Sequence, residues 1–342
     1  MTVPRKQIVD SAVTPYYHCI SRCVRRLYLC GDGSEHRKLW IEQRLQQLAE
    51  IFAIEVCSYG ILDNHFHVVL KLNERELATW SDEQVALKWA QLFPPRSKDR
   101  KPTAPTSAWL QDRLNDKQWL TRIRGRLNNL GWFMKCLKEP IARRANKEDN
   151  ARGAFWEARF KSIAILDEEA LLTTLAYVDL NVMAAGKAKT PESSRHTSIR
   201  KRIEDARRRG VLDRLKKAEI GPPAERQSLE DEDFWLIPLR DNHRSDAGRR
   251  GISTVLDLRS YLQLLDWSGR LGRPGKAKIP RDVKGILERI GSQQDVWEAR
   301  LTKLQNQDQI AGVMIATSPS SLQQIKAQRG ISRLTNVAGP LR

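Results

Sequence analysis

The sequence has few cysteines and no long apolar run. Its five cysteines are an odd number without a CxxC pair, which argues against a disulfide framework and a four-thiolate zinc site. No stretch approaches the roughly 18 apolar residues of a membrane span. Residues 1–10 also lack the apolar core of a signal peptide. The sequence therefore predicts a cytoplasmic protein with reduced thiols.

Acidic residues are scarce relative to basic ones. The 342 residues include 59 Lys and Arg against 41 Asp and Glu, a formal net charge of +18. Cations that neutralise phosphates release condensed counterions, so this excess favours binding to a polyanion. Nucleic acid is the leading partner on this ground, and an anionic membrane surface is the second.

The first 72 residues predict the order strand, helix, strand, strand. Aromatic and β-branched residues make Tyr16–Leu29 strand-like, and Ser34 is placed to cap a helix over Glu35–Ala53. Two apolar runs then predict strands over Ile54–Gly60 and Phe66–Leu72, joined by a short polar turn.

The pattern weakens after residue 73. Residues 74–120, with four prolines between Pro94 and Pro105, are interpreted as an insertion containing a mobile loop. Apolar spacing of three and four residues predicts a helix over 126–146, in which Pro140 marks a kink or a second start. A strand within 155–166 and a helix over 167–179 follow.

The last part of the chain carries fewer signals. The basic stretch 195–217 predicts a helix or tail that lies on phosphate or in water. The DLRSYLQLLDW pattern predicts one helix within 220–342. No chemistry is assigned to that region, which is either an added binding module or a packing extension.

The strongest local signal is the run NHFHVVL at 64–70. On a strand, His65 and His67 project from one face while Phe66 and Val68 project from the other. Two imidazoles so placed can share one divalent ion, although two ordinary strand histidines give the same pattern.

Four motifs occur in a fixed order: YHCISR at 17–22, NHFHVVL at 64–70, FWEARFKS at 155–162 and YVDLN at 177–181. This order resembles the REP-associated tyrosine transposases, relatives of the single-tyrosine transposases with a His-hydrophobic-His (HUH) motif. The resemblance covers about residues 12–200.

The resemblance implies an α+β fold, with an HUH or ferredoxin-like antiparallel sheet of five strands flanked by helices. It implies an HUH transposase-like domain over 1–190, including the insertion at about 74–120. Beyond that domain, the sequence itself predicts a basic helical segment over 191–219 and a mostly helical C-terminal extension over 220–342.

The resemblance also implies a chemistry. His65 and His67 would hold Mg²⁺ or Mn²⁺, and the ion would polarise a scissile phosphate of single-stranded DNA. A tyrosine on the helix after the insertion would then attack and form a 5′-phosphotyrosine. The sequence departs here, because Ile141 occupies the expected tyrosine position and 137–146 contains no tyrosine. Only Glu139 and Asn146 on that helix offer a further oxygen ligand.

Other residues are candidates for the same site. His18 adjoins the strand expected to neighbour the histidine strand, so it is a candidate partner of the histidine pair. Five tyrosines are each predicted to be core or interface aromatics rather than nucleophiles: Tyr16, Tyr17, Tyr28, Tyr59 and Tyr177.

Basic residues near aromatic ones predict a face that binds single-stranded nucleic acid, because bases stack on rings while phosphates meet the charges. The set is Arg22, Arg25, Arg26, Arg143, Arg144, Arg159 and Lys161.

The sequence therefore predicts a transposase-like protein that binds single-stranded or hairpin DNA and, by resemblance, nicks and transfers strands with a metal ion. The alternative is a silenced or domesticated HUH-fold protein that binds nucleic acid without cutting it. A third alternative is a metal-dependent hydrolase that uses water. Structured RNA is an alternative ligand, a homodimer is an alternative to a monomer, and a membrane is not an expected partner.

Overall fold

The computed structural model describes residues 9–31, 33–188, 190–211, 230–231, 233–239, 251–253, 256–270, 314–316, 318, 320 and 335–336. The strands are β1 (Tyr16–Arg22), β2 (Ile54–Ile61), β3 (His65–Leu72), β4 (Lys161–Ile165), β5 (Met314–Ala316) and β6 (Thr335–Asn336). The helices are α1 (His36–Ile51), α2 (Glu74–Thr79), α3 (Asp82–Leu92), α4 (Ser107–Asn115), α5 (Lys117–Leu127), α6 (Leu130–Glu148), α7 (Glu168–Ala184), α8 (Ser198–Arg208) and α9 (Leu258–Arg270).

The strand order is β2-β3-β1-β4-β5-β6. The first four strands are antiparallel, with α1 between β1 and β2 and α2 to α6 between β3 and β4. This βαββαβ order is the ferredoxin-like topology, so the α+β prediction is confirmed. The implied five-stranded antiparallel sheet is wrong, because the short β5 and β6 join the β4 edge in parallel.

Both faces of the sheet are covered, as the alternation along β3 requires. Phe66, Val68 and Leu70 pack into a core with α1 and α6. Val69 faces the opposite way and packs into a second core with α7, α8 and α9. Because side chains alternate along a strand, His67 also lies on the α7 side of the sheet.

Two helix predictions need correction, and the structure decides between the two alternatives left open for Pro140. Helix α1 begins at His36 with Glu35 at its N-cap, and Ser34 does not cap it. The insertion is largely helical, since α2 to α5 flank the proline-rich loop. Pro140 lies inside the single helix α6 and does not start a second one. Packing of α6 on the sheet outweighs the hydrogen bond that proline removes.

The basic stretch after residue 194 is helical in α8, as predicted, but one of its arginines is buried and does not lie in water or on phosphate. In α8 the Arg202 guanidinium points into the protein, where it donates to the carbonyls of Cys57 and Ile237 at 3.0 and 2.7 Å and pairs with Glu230. Residues 212–217 of the stretch lie outside the described residues. The predicted helix in the C-terminal region is present as α9, which packs on the α7 side of the sheet.

Within the described ranges, no helix is both long and apolar enough to cross a bilayer.

Gly60 of β2 lies directly against the backbone of α7. A Cβ added at Gly60 would lie 2.7 Å from the Val178 carbonyl oxygen. We therefore expect Gly60→Ala to destabilise the protein by about 1 to 3 kcal/mol, since the backbone must move. At Gly125, inside α5, a Cβ meets nothing within 4 Å, so Gly125→Ala should stabilise by about 1 kcal/mol. Urea unfolding of both variants checks the pair, and equal effects would contradict this packing.

Candidate functional site

The two histidines of β3 lie under α7. Strand β3 places His65 opposite Arg22 of β1, and His67 opposite Ile20. The ring centroids of His65 and His67 are 5.0 Å apart. The Tyr177 ring of α7 stands perpendicular to His67 with centroids 5.4 Å apart. The histidines thus share one face, as the alternation predicted.

Hydrogen bonds connect His67 to the neighbouring strand β1 and to helix α7. The His67 Nδ1 and His18 Nε2 atoms are 2.9 Å apart, and the Asn181 amide nitrogen lies 3.1 Å from His67 Nε2. With the amide as donor, His67 Nε2 accepts and His67 Nδ1–H donates to His18. His18 Nδ1 is buried and has no hydrogen-bond partner among the described residues. His18 is therefore a direct partner of the pair.

Burial keeps this cluster neutral. His67 and His18 are almost fully buried. Burial, followed by the charge of Lys161, lowers the pKa of His18 to about 3. Burial, followed by the charge of Arg22, lowers the pKa of His65 to about 4. The pKa of His67 lies well below its usual value for the same first reason, with the neighbouring histidines adding to it.

The donor set does not match the ion that the resemblance implies. His65 Nδ1 lies 2.6 Å from the Asn64 side-chain oxygen, which leaves its lone pair on Nε2. The His67 lone pair accepts from the Asn181 amide. Within the described ranges, no three His, Cys, Asp or Glu side chains are grouped to hold a metal. Mg²⁺ and Mn²⁺ prefer oxygen ligands, and the cluster as arranged supplies one imidazole lone pair.

The residue at the expected tyrosine position lies on the other side of the sheet. Ile141 is buried in the core that α1 and α6 form with Phe66 and Val68. Glu139, on the same helix, pairs with Arg143 at the surface. Asn146 donates to the Gly153 carbonyl at 2.9 Å. None of these side chains is brought to the histidine face.

Four of the five tyrosines that were predicted to be packed aromatics are buried or partly buried. Tyr17 and Tyr59 are fully buried and Tyr177 nearly so, while Tyr16 is partly buried against the second core. Tyr28 differs, with 64% of its surface exposed.

Five of the predicted cations lie where the ends of β1, β3 and β4 meet. We call this end of the sheet the basic edge. It consists of Arg22, Arg25, Arg26, Arg159 and Lys161. The residue pairs Arg22↔His65 and Ile20↔Lys161 place the ends of β1, β3 and β4 side by side. Segment 155–158 joins them, because Glu157 N–H donates to the Arg22 carbonyl and Val24 N–H donates to the Phe155 carbonyl, both at 2.9 Å.

The remaining two predicted cations lie on the outer face of α6. The Arg144 guanidinium lies 3.7 Å from the centre of the Trp40 ring. Arg143 pairs with Glu139. Helix α6 reaches the basic edge through Trp156, whose indole N–H donates to the Lys138 carbonyl at 3.0 Å.

Sequence reasoning missed Asn181 as a partner of the histidines. A usable signal was present, since Tyr177 and Asn181 are four residues apart on one helix and therefore share a face. Both contact His67.

Comparisons with known proteins give one similarity. No family model matches the chain, and no curated protein matches it. Among solved structures, it is similar to a REP-associated tyrosine transposase bound to a REP hairpin, with 10% identity and a TM-score of 0.36 over 60% of this chain and 86% of that one. So low a score does not transfer an activity, and the fold follows from the strand order alone.

Proposed function

We propose that this protein binds single-stranded or hairpin DNA along its basic edge and that it does so without tyrosine-mediated strand transfer. The observation that carries the proposal is the separation of two features. The cations gather at the end of β1, β3 and β4, while the residue at the expected nucleophile position is a core isoleucine beneath the opposite face.

Charge at the basic edge supports the binding part of the proposal. In the part of the chain that the structure describes, Arg25, Arg26 and Arg159 form no ion pair with a carboxylate. Unneutralised cations on a surface attract phosphate and raise affinity through counterion release. Trp156 adjoins this surface through its bridge to Cys23, and its partly buried ring packs edge-on against Phe66.

The histidine cluster and Ile141 support the second part of the proposal, that the protein does not transfer DNA strands through a tyrosine. A hydrocarbon cannot attack phosphorus, and the His67 lone pair is already engaged by Asn181. In this account the cluster holds α7 against the sheet. It contributes to stability and to the shape of the adjacent edge.

A second candidate function is metal-dependent nicking of DNA. One observation favours it, which is that His65 and His67 share a face beside the basic edge with ring centroids 5.0 Å apart. Loading a metal there would require the Asn181 amide to release the His67 lone pair.

Binding of a labelled DNA hairpin in EDTA tests the proposal. We expect Arg159→Ala and Lys161→Ala each to lower the slope of log K against log salt by about 0.7 to 0.9, the contribution of one phosphate contact. Arg122→Ala, an exposed cation of α5, is the matched control and should leave the slope unchanged. His65→Ala should leave the affinity nearly intact. Equal slope changes in all three cation variants, or a large loss in His65→Ala with folding preserved, would contradict the proposal.

A further inference from the structure

The connection from β1 to α1 is a loop that is fixed at both ends. We call residues 24–29 the arginine loop. Cys23 N–H donates to the Asn64 carbonyl at 2.8 Å and Cys30 N–H donates to the Asp63 carbonyl at 2.7 Å. Both cysteines are buried. The base of the loop is therefore held against the residues that immediately precede His65.

The tip of the loop exposes apolar surface. Tyr28 is 64% exposed and Leu27 is 48% exposed, more than any other large apolar residue in the described ranges. Tyr28 was predicted to be a packed aromatic, and its exposure is a correction. A large aromatic ring in water contributes little to folding, and exposed aromatic rings are enriched where proteins bind ligands.

Two cations precede the exposed ring in an unusual backbone conformation. Arg25 and Arg26 have φ values of 53° and 58°, in the left-handed region that is disfavoured for residues other than glycine. The Asn64 side chain supports this turn by donating to the Arg26 carbonyl at 3.1 Å. Such conformations cluster at functional sites, because the surrounding structure must hold them in place.

Asp63, whose carbonyl accepts from Cys30 at the base of the loop, does not neutralise these arginines. Asp63 pairs instead with Lys38 at 2.5 Å and with Lys187 at 2.7 Å. No ion pair of Arg25 or Arg26 occurs within the described ranges. The loop thus presents two unneutralised guanidinium groups and one exposed ring on the same short segment.

We propose that the arginine loop binds an unpaired nucleotide, with the base stacked on Tyr28 and the adjacent phosphates on Arg25 and Arg26. The chemistry fits a nucleic acid better than a protein surface, since the loop offers cations and a ring without an acidic group. This inference rests on the proposed function and deepens it. The preferred ligand carries at least one unpaired base next to its duplex stem.

Equilibrium binding of the full chain to two oligonucleotides tests this inference. One is a blunt DNA hairpin, and the other is the same hairpin with a four-nucleotide single-stranded extension that contains 2-aminopurine. We expect Tyr28→Ala to weaken binding of the extended hairpin by about 5- to 150-fold, the loss of one stacked base, and to leave the blunt hairpin unaffected. Tyr28→Phe keeps the ring and should bind both like the wild type.

Two further variants make the test specific. Leu27→Ala removes a neighbouring exposed side chain and should change neither affinity. Arg26→Gly removes a charge without straining the backbone, so it should weaken binding of the extended hairpin more than binding of the blunt one. The 2-aminopurine fluorescence should be quenched by the wild type and by Tyr28→Phe, and not by Tyr28→Ala.

The outcomes separate this inference from the proposed function. Wild-type protein that binds neither hairpin overturns both. Wild-type protein that binds both hairpins equally, with no effect of Tyr28→Ala and no quenching, overturns the inference alone and directs attention to a protein or lipid partner for the exposed ring.

Discussion

Unfolding of this protein is expected to become easier as the pH falls from 7 to 4. The pKa of His18 is lowered to about 3 and that of His67 lies well below its usual value, in both cases mainly because of burial. In the unfolded chain both imidazoles have a pKa near 6.5. Their contribution to stability is therefore complete above pH 6.5, and it is lost as the pH falls towards the folded values.

The size of this effect follows from proton linkage. Below pH 6.5 the unfolded state binds up to two more protons at these sites than the folded state, so the slope approaches about 2.7 kcal/mol per pH unit. Urea unfolding at pH 7.5, 6.5, 5.5 and 4.5 measures it. Because the histidines interact, the two protons define a joint limit and are not assigned to separate residues.

A variant isolates the histidines from the carboxylates, which also titrate in this range. His67→Gln should be less stable than the wild type at pH 7.5 and should show a flatter acid slope, by about one proton. The difference between the two profiles cancels the groups that both proteins share. Parallel profiles would contradict a neutral, buried histidine cluster.

Substitution of Asp179 is expected to have the largest effect of any single change near α7. Asp179 is buried and accepts hydrogen bonds from the Ser198 hydroxyl at 2.5 Å, the Ile199 N–H at 2.9 Å and the Tyr261 hydroxyl at 2.7 Å. Burial raises its pKa despite these donors. The carboxylate joins α7 to the start of α8 and to α9 of the C-terminal region.

We expect Asp179→Ala to destabilise the protein by about 3 to 5 kcal/mol, because three buried donors lose their acceptor. Asp179→Asn should cost less, since it keeps one acceptor oxygen and removes the penalty of burying a charge. Tyr261→Phe should cost about 1 to 2 kcal/mol. Urea unfolding and a double-mutant cycle between Asp179 and Tyr261 measure the coupling.

The matched control for this series is Tyr28→Phe, which alters an exposed tyrosine and should leave stability unchanged. If Tyr261→Phe behaved like Tyr28→Phe, or if the cycle showed no coupling, α9 would not be joined to α7 as the structure indicates. If Tyr261→Phe destabilises the protein and the cycle shows coupling, the described part of the C-terminal extension unfolds together with the sheet.

Local patterns predicted the histidine face and three of the strands closely, but the first strand ends at Arg22 and not at Leu29. The period of two along 64–70 placed His65 and His67 on one face and Phe66 on the other, and the structure agrees. The insertion carries the same kind of local signal, although its helices were not predicted. Ser81 and Gln84 form a capping box at the start of α3, and this spacing is visible in the sequence.

Local sequence patterns could not predict contacts between residues that are far apart in the chain. Asn181 meets His67 across 114 positions, and the parallel pairing of β5 with β4 joins residues even further apart. Helical spacing indicates that Ile141 faces a core, but it does not indicate which face of the sheet that core covers. The packing of α6 on Phe66 and Val68 is what places Ile141 on the face of the sheet opposite the histidines, and local spacing does not reveal this packing.

We expect the basic edge to bind folded DNA and the histidine face to leave that DNA uncut. The most direct test incubates the purified chain with end-labelled DNA hairpins and Mn²⁺, with and without EDTA, and compares native with denaturing gels. We expect shifted complexes on the native gel, insensitive to EDTA, and intact DNA on the denaturing gel. A metal-dependent product that His65→Ala abolishes would contradict this expectation, and an SDS-resistant protein adduct would further identify a tyrosine nucleophile.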